Sequence, residues 1–191
     1  MRIVGGRWGG RRLEAASGRE HRPTQDRIRE AVFDLLGVRV PGAKVVDLYA
    51  GSGALGLEAL SRGAAEALFV ERSPAALRTL RANVRALEAQ ERARVVAGDV
   101  LAFLAGRLEI ECETDLLLAD PPYGTIDEAW LVSVAKAAAL RWRPGALIVL
   151  ETARRAADPP PAPGWERRRE RTYGETRILI DEWGPFDDAE P

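Results

Sequence analysis

The sequence predicts an α/β protein built on a mostly parallel sheet. Three observations carry that reading. Strand-like and helix-like segments alternate from residue 43 to residue 150, the pattern of successive βα units. The strand segments are continuous apolar runs, such as Leu116-Leu117-Leu118-Ala119 and Leu147-Ile148-Val149-Leu150, which suits strands covered on both faces. Finally, Val45-Val46-Asp47-Leu48 leads through Gly51-x-Gly53-x-x-Gly56 into Leu57-Glu58-Ala59-Leu60. A glycine-rich turn that leaves a strand and opens a helix lets a ligand approach the backbone and meet the positive helix end. In that context the motif predicts a nucleotide-like ligand. The competing reading is a tight turn that only packs the helix on the strand.

The elements follow in order. Residues 1–30 carry eight arginines against four acids, whereas residues 181–191 carry five acids and no base, in a chain of net charge −1. The basic surface is therefore expected at the front of the chain. Ile3-Val4 and Arg12-Leu13 are expected to pair as a small hairpin with Trp8 between them. Arg2, Arg7, Arg11, Arg12 and Arg22 are candidate contacts for phosphates of a nucleic acid, and Trp8 could stack on a base; a solvated arm is the alternative. Thr24 suits the N-cap of the first helix and Asp26 its positive end, with Ile28, Val32, Leu35 and Leu36 as its apolar stripe. Gly37 and then Pro41-Gly42 end it. Strands are predicted at 43–48, 67–71, 93–97, 114–119 and 145–150, and helices at 54–62, 74–88, 99–105 and 128–141. Ser73-Pro74 marks a helix start.

After residue 151 the pattern changes. Residues 158–164 are a proline-rich linker. Trp165 to Thr172 and Thr176 to Ile180 flank the turn Tyr173-Gly174-Glu175, predicting an antiparallel hairpin whose charged strand lies at the sheet edge. An acidic tail follows from Gly184. The expected organisation is an arm over 1–22, a domain over 23–183 and a tail over 184–191. Because the sheet begins only near residue 43, removal of residues 1–20 is expected to leave a folded, ligand-binding domain.

Composition sets the boundaries. A chain of 191 residues with 46% hydrophobic and 30% charged residues reads as one ordinary soluble domain with a sizeable core. Its single cysteine, Cys112, excludes an internal disulfide and a cysteine-cluster metal site, and its single histidine, His21, excludes a multi-histidine site. Cys112 sits between two glutamates, which disfavour its thiolate, and reads as structural. No signal peptide is visible, and no apolar run reaches the roughly 18 residues of a membrane span. A cytoplasmic protein is expected.

Three acids stand at predicted strand ends, where open α/β sheets bind ligands. Asp47 closes the first strand. Glu71 lies twenty residues after Gly51, a spacing suited to a carboxylate that grips ribose hydroxyls. Asp99 follows the third strand and could accept from an adenine amino group. With Gly51, Ser52, Gly53, Gly56, Arg72 and Val100, these make an adenosine-shaped cofactor site. The fourth strand ends in Asp120-Pro121-Pro122-Tyr123. Its prolines fix the backbone, so that a carboxylate and a carbonyl face one spot beside an aromatic ring. That arrangement suits a planar base with an exocyclic amino group, and Asp120, Pro121, Pro122 and Tyr123 are the catalytic candidates. A turn with a packing aromatic is the alternative.

The glycine loop together with Asp-Pro-Pro-Tyr resembles the class I S-adenosylmethionine-dependent amino-methyltransferases. Arg22-Pro23-Thr24-x-Asp26-Arg27-x-Arg29-Glu30-Ala31-x-Phe33, the run from Ala50 to Ala64, Arg2-Ile3-Val4-Gly5-Gly6 and Tyr173-Gly174 resemble, more narrowly, the bacterial 16S rRNA guanine-N2 methyltransferases of the D type. The resemblance spans residues 2–180, with Tyr49 where phenylalanine is usual. It implies a Rossmann-like sheet of seven strands, six parallel and one reversed, behind a small basic arm. It also implies S-adenosylmethionine as methyl donor, S-adenosylhomocysteine as product, no metal, and 16S rRNA in a partly or fully assembled small subunit as partner. A monomer is expected. The alternatives are a DNA adenine-N6 methyltransferase, for which the chain lacks room for a large target-recognition region, and a non-catalytic RNA-binding protein on the same fold. A dehydrogenase also fits the glycine loop but leaves Asp-Pro-Pro-Tyr without a role.

Overall fold

A computed structural model describes residues 1–15, 23–108, 110–122, 125–137, 139–156 and 158–184. It holds a seven-stranded mixed sheet with helices, and the chain divides into two compact units, Met1–Val100 and Leu101–Pro191.

In the first unit β1 (Lys44–Leu48), β2 (Glu66–Glu71) and β3 (Ala93–Ala97) are parallel in the order β3-β2-β1. Val46 pairs with Leu68, and Phe69 with Val95. The apolar runs of β1 and β2 are buried as the uninterrupted hydrophobicity predicts, whereas in β3 only Val96 is buried. Its α-helices among the described residues are α1 (Pro23–Leu36), α2 (Ala54–Ser61) and α3 (Pro74–Ala86). The Ser73 hydroxyl caps α3 by accepting from the Ala76 N–H, with Pro74 in the first turn. Thr24 is not the cap of α1. The helix already starts at Pro23, a residue preorganised for a first helical position, which places Thr24 inside the first turn. Asp26 is buried and takes a hydrogen bond from Arg29 at 2.7 Å.

The N-terminal hairpin forms in a slightly different register from the one expected. Arg2 bridges Arg12, the Ile3 N–H donates to the Arg11 carbonyl, and the Leu13 N–H donates to the Met1 carbonyl. Trp8 is not available for stacking on a base. It is 4% exposed, its backbone N–H donates to Ser61 Oγ at 3.0 Å, and the guanidinium groups of Arg7 and Arg92 lie 5.0 and 5.4 Å from its ring centroid. The arm is docked on α2. Glu58, 0% exposed, accepts from the Val4 and Gly5 N–H groups at 2.7 and 2.8 Å. Gly6 has φ +73 and comes so close to α2 that a Cβ would sit 2.0 Å from the Ser61 carbonyl oxygen. The glycine pair of the arm is thus explained by close packing.

α4 (Val100–Leu104) carries the boundary between the units. In the second unit β4 (Cys112–Ala119) and β5 (Leu140–Ala153) are parallel, and β7 (Thr176–Trp183) runs antiparallel to both β5 and β6 (Trp165–Tyr173). The order is β4-β5-β7-β6, with the charged β6 at the edge as expected. α5 (Glu128–Ala135) is much shorter than the predicted 128–141, and β5 much longer than 145–150. Leu140 to Trp142 are taken into the ladder by Cys112 to Thr114. Strand pairing there overrides the helix propensity of the alanine-rich run, and the register shifts between Thr114 and Leu116, opposite Arg143-Pro144-Gly145-Ala146. Cys112 opens β4 and does not precede it; its Sγ lies 3.6 Å from the Ala139 carbonyl oxygen. The proline-rich linker is held by Arg167, which donates to the Pro159 carbonyl at 2.9 Å. No helix among the described residues is long and apolar enough to cross a membrane.

Candidate active site

The glycine turn is built from below. Asp47, at the end of β1, is 2% exposed, and its Oδ2 accepts from the Gly56 N–H at 2.9 Å. Gly56 is in the first turn of α2, where N–H groups have no partner within the helix. Asp47 therefore fastens the helix start to the strand. A Cβ on Gly56 would lie 2.4 Å from Phe69 Cε1 and 3.1 Å from Asp47 Oδ2, so only glycine lets the helix sit this close. Part of the motif does serve packing, as the tight-turn reading requires. Asp47 is buried and shapes the loop by holding the Gly56 N–H.

The upper side of the turn is different. Tyr49 has φ +59 and Gly51 φ +57. A non-glycine residue held there costs about 1–3 kcal/mol and clusters at functional sites. A Cβ on Gly51 would meet only the Tyr49 carbonyl oxygen, at 3.8 Å, so this backbone faces open space. The Gly51 N–H donates to Glu71 Oε2 at 2.8 Å, while Glu71 Oε1 accepts from the Arg72 and Ser73 N–H groups at 2.8 and 2.7 Å. Three backbone donors thus fix one half-buried carboxylate. With about four lone-pair sites on a carboxylate, Glu71 is preorganised with capacity left for a hydroxyl donor. Arg72 Nη1 reaches Asp99 Oδ2 at 3.4 Å, tying the ends of β2 and β3. The structure so brings Gly51, Glu71, Arg72 and Asp99 to the carboxyl ends of neighbouring strands. Ser52, Gly53, Gly56 and Val100 are buried behind them.

Two supporting residues escaped the sequence reading. Asn83, 1% exposed on α3, donates to the Ser52 carbonyl in the glycine turn and to the Glu14 carbonyl, both at 3.0 Å, and accepts from the Glu14 N–H at 2.8 Å. It joins the arm to the ligand loop. Its signal was a polar residue among Leu77, Leu80 and Val84 on the apolar face of a helix. Glu58 is the other, a lone charge in the apolar run of α2.

In the second unit, Asp120 follows β4 and is half-buried, Pro121 is buried and Pro122 is exposed. The Pro122 carbonyl accepts from the Thr125 N–H at 3.2 Å, which closes the turn. Tyr123, His21 and Arg22 lie outside the described residues. Of the other arm candidates, Arg2 is 3.5 Å from Asp26, Arg11 donates to the Ala86 carbonyl at 2.5 Å, and Arg7 and Arg12 are exposed. No group of three or more His, Cys, Asp or Glu able to hold a metal occurs among the described residues.

A seven-stranded mixed sheet with a glycine turn after β1 and a fixed acid at the end of β2 defines the class I methyltransferase fold. The Escherichia coli protein yhhF aligns in three dimensions with TM-score 0.83 and 33% identity, over 96% of this chain and 98% of its own. SMU.776, solved in complex with SAH, aligns with TM-score 0.65 at 14% identity over 85% of this chain and 50% of its own, a likeness of fold alone. In sequence, the chain is 35% identical over 190 residues to ribosomal RNA small subunit methyltransferase D of Escherichia coli strain K12, covering 94% of this chain and 88% of that protein. The family described as Conserved hypothetical protein 95 matches residues 1–181, and the chain belongs to it.

Proposed function

We propose that this protein transfers a methyl group from S-adenosylmethionine to the 2-amino group of one guanine in 16S rRNA of the small ribosomal subunit. The observation that carries the reading is the Glu71 carboxylate, held by the Gly51, Arg72 and Ser73 N–H groups beside the open side of the glycine turn. That is a grip for ribose hydroxyls. The likeness in sequence to a small-subunit rRNA methyltransferase supports the substrate class. It does not favour a DNA adenine enzyme or a non-catalytic protein.

Bound S-adenosylmethionine supplies an electrophilic methyl group on a sulfonium, which is already a good leaving group. The chain's part is binding and positioning. Glu71 accepts from the ribose, Asp99 from the adenine amino group, and Gly51 offers backbone at close range. Asp120 and the Pro121 carbonyl accept the two hydrogens of the guanine amino group, which turns its nitrogen lone pair out of conjugation with the ring. Tyr123 stacks on the base. Asp120 would also take up the amino proton that the nitrogen loses as it gains the methyl group and S-adenosylhomocysteine is left as product. Such alignment is worth roughly 7–11 kcal/mol of barrier. The test is nucleoside mass spectrometry of small-subunit rRNA from cells with the gene, without it, and with Asp120→Ala. N2-methylguanosine should fall by one residue per subunit in the last two. An unchanged modification profile refutes the reading.

A further inference from the structure

We propose that the solvent face of α3 is an RNA backbone track, continuous with the N-terminal arm, on which phosphates of the substrate rRNA lie. The inference rests on the rRNA reading above and assigns it a second surface. Its basis is the sequence Pro74-Ala-Ala-Leu-Arg78-Thr-Leu-Arg81-Ala-Asn-Val-Arg85-Ala86. One face of this helix buries Ala76, Leu77, Leu80, Asn83 and Val84. Arg78, Arg81 and Arg85 are exposed, and their spacing of three and four residues puts them in one stripe along the axis. Thirteen residues contain no acid.

That composition works against the helix. Its first turn has no acid to answer the positive helix end, and Arg81 and Arg85 form a like-charge pair at the i,i+4 spacing that destabilises helices. The last turn is the exception, where Arg85 answers the negative helix end; Arg78 and Arg81 have no such role. Of the other arginines, Arg2, Arg29, Arg62, Arg72, Arg141, Arg143 and Arg177 are among those that face carboxylates. Among the described residues, Arg78, Arg81 and Arg85 face none.

The arm extends the stripe. Arg11 donates to the Ala86 carbonyl, and three residues on, Glu14 meets Asn83. Residues 11–14 thus run alongside the C-terminal half of α3, against its direction, and set Arg11 at the end of the helix that carries Arg85. The charge of the chain is divided accordingly. Met1–Val100 carries seventeen Arg and Lys against twelve Asp and Glu, a net +5, while Leu101–Pro191 carries eleven against seventeen, a net −6. A polyanion is the ligand this distribution selects, since guanidinium forks match phosphate oxygens.

The test uses the full chain carrying Arg78→Glu, Arg81→Glu and Arg85→Glu together, and the same triple change to Gln and to Lys. The probe is a 16S rRNA transcript, with binding measured at several salt concentrations. Each lost phosphate contact removes about 0.7–0.9 from the slope of log affinity against log salt. The Glu and Gln triples should therefore flatten the slope by about 2 to 2.7 and weaken binding by about tenfold or more. The Lys triple should keep most of both, and S-adenosylmethionine affinity by calorimetry should be unchanged in all three. The Gln triple, which adds no charge and keeps a good helix former, carries the test should the Glu triple fold poorly. An unchanged slope and affinity in the Gln triple overturns the track. Wild-type methylation of small-subunit rRNA in the same preparation separates that result from failure of the methyltransferase reading.

Discussion

Glu58 decides whether the N-terminal arm belongs to the fold. Its carboxylate is 0% exposed. One oxygen accepts from the Val4 N–H at 2.7 Å and lies 3.6 Å from Arg29 Nε. The other accepts from the Gly5 N–H and from Arg62 Nε, each at 2.8 Å. Burial of Arg62 opposes its charge, but hydrogen bonds to Glu58 and Asp34 outweigh that and raise its pKa. Glu58→Ala strips two backbone donors and two guanidinium groups of their acceptor at once. Breaking a buried pair from one side costs about 3–5 kcal/mol, and each orphaned N–H about 1–3 kcal/mol more if it stays buried. The hairpin can peel away and hydrate, so the loss should settle near 3–5 kcal/mol, a large part of the roughly 5–15 kcal/mol available to a domain. Urea unfolding should show the lower midpoint, and hydrogen exchange should show the Val4 and Gly5 amides losing protection. Less than about 1 kcal/mol of destabilisation, with both amides still protected, refutes the argument. The same contacts revise the expectation that residues 1–20 are dispensable. Their removal leaves Glu58 buried among unmatched partners and uncovers the sites of Ile3 and Leu13, side chains worth about 1.5–3 kcal/mol each when buried.

Glu71→Ala should weaken S-adenosylmethionine binding by about 1–3 kcal/mol, the range for a hydrogen bond to a charged group, and it also frees the Gly51 N–H; calorimetry with unchanged affinity removes Glu71 from the site. In single-turnover assays, Asp120→Ala should lower the methylation rate far more than the cofactor affinity, because it orients the acceptor and not the donor; equal losses would place Asp120 with the cofactor. Burial raises the pKa of Asp181 above 3.8, against the opposing hydrogen bond from Arg167. The folded state then binds that proton more tightly than the unfolded chain, so stability contributed by Asp181 is lost as pH rises from near 3.8 through the raised value. Asp181→Asn should accordingly gain on wild type across that window in urea melts, and a parallel pair of pH–stability curves would contradict the shift.

Features that short segments decide are legible in the chain itself. The apolar strand runs, the glycine turn, the capped start of α3 at Ser73-Pro74 and the edge hairpin about Gly174 depend on neighbours a few residues away, and all stand where expected. The twenty-residue interval from Gly51 to Glu71 is of the same kind, because one strand–turn–helix–strand unit fixes it, and the two residues meet at 2.8 Å. The remaining features depend on contacts between distant segments. Whether Leu140 to Trp142 extend a helix or join a ladder depended on Cys112 to Thr114 arriving beside them. Trp8 looked like a free aromatic until Ser61 and Arg92 enclosed it. Val4 meets Glu58 across 54 residues, and Glu14 meets Asn83 across 69. Composition and periodicity carry no record of such pairings, because a buried charge or amide is tolerated only by the geometry of partners that folding brings to it.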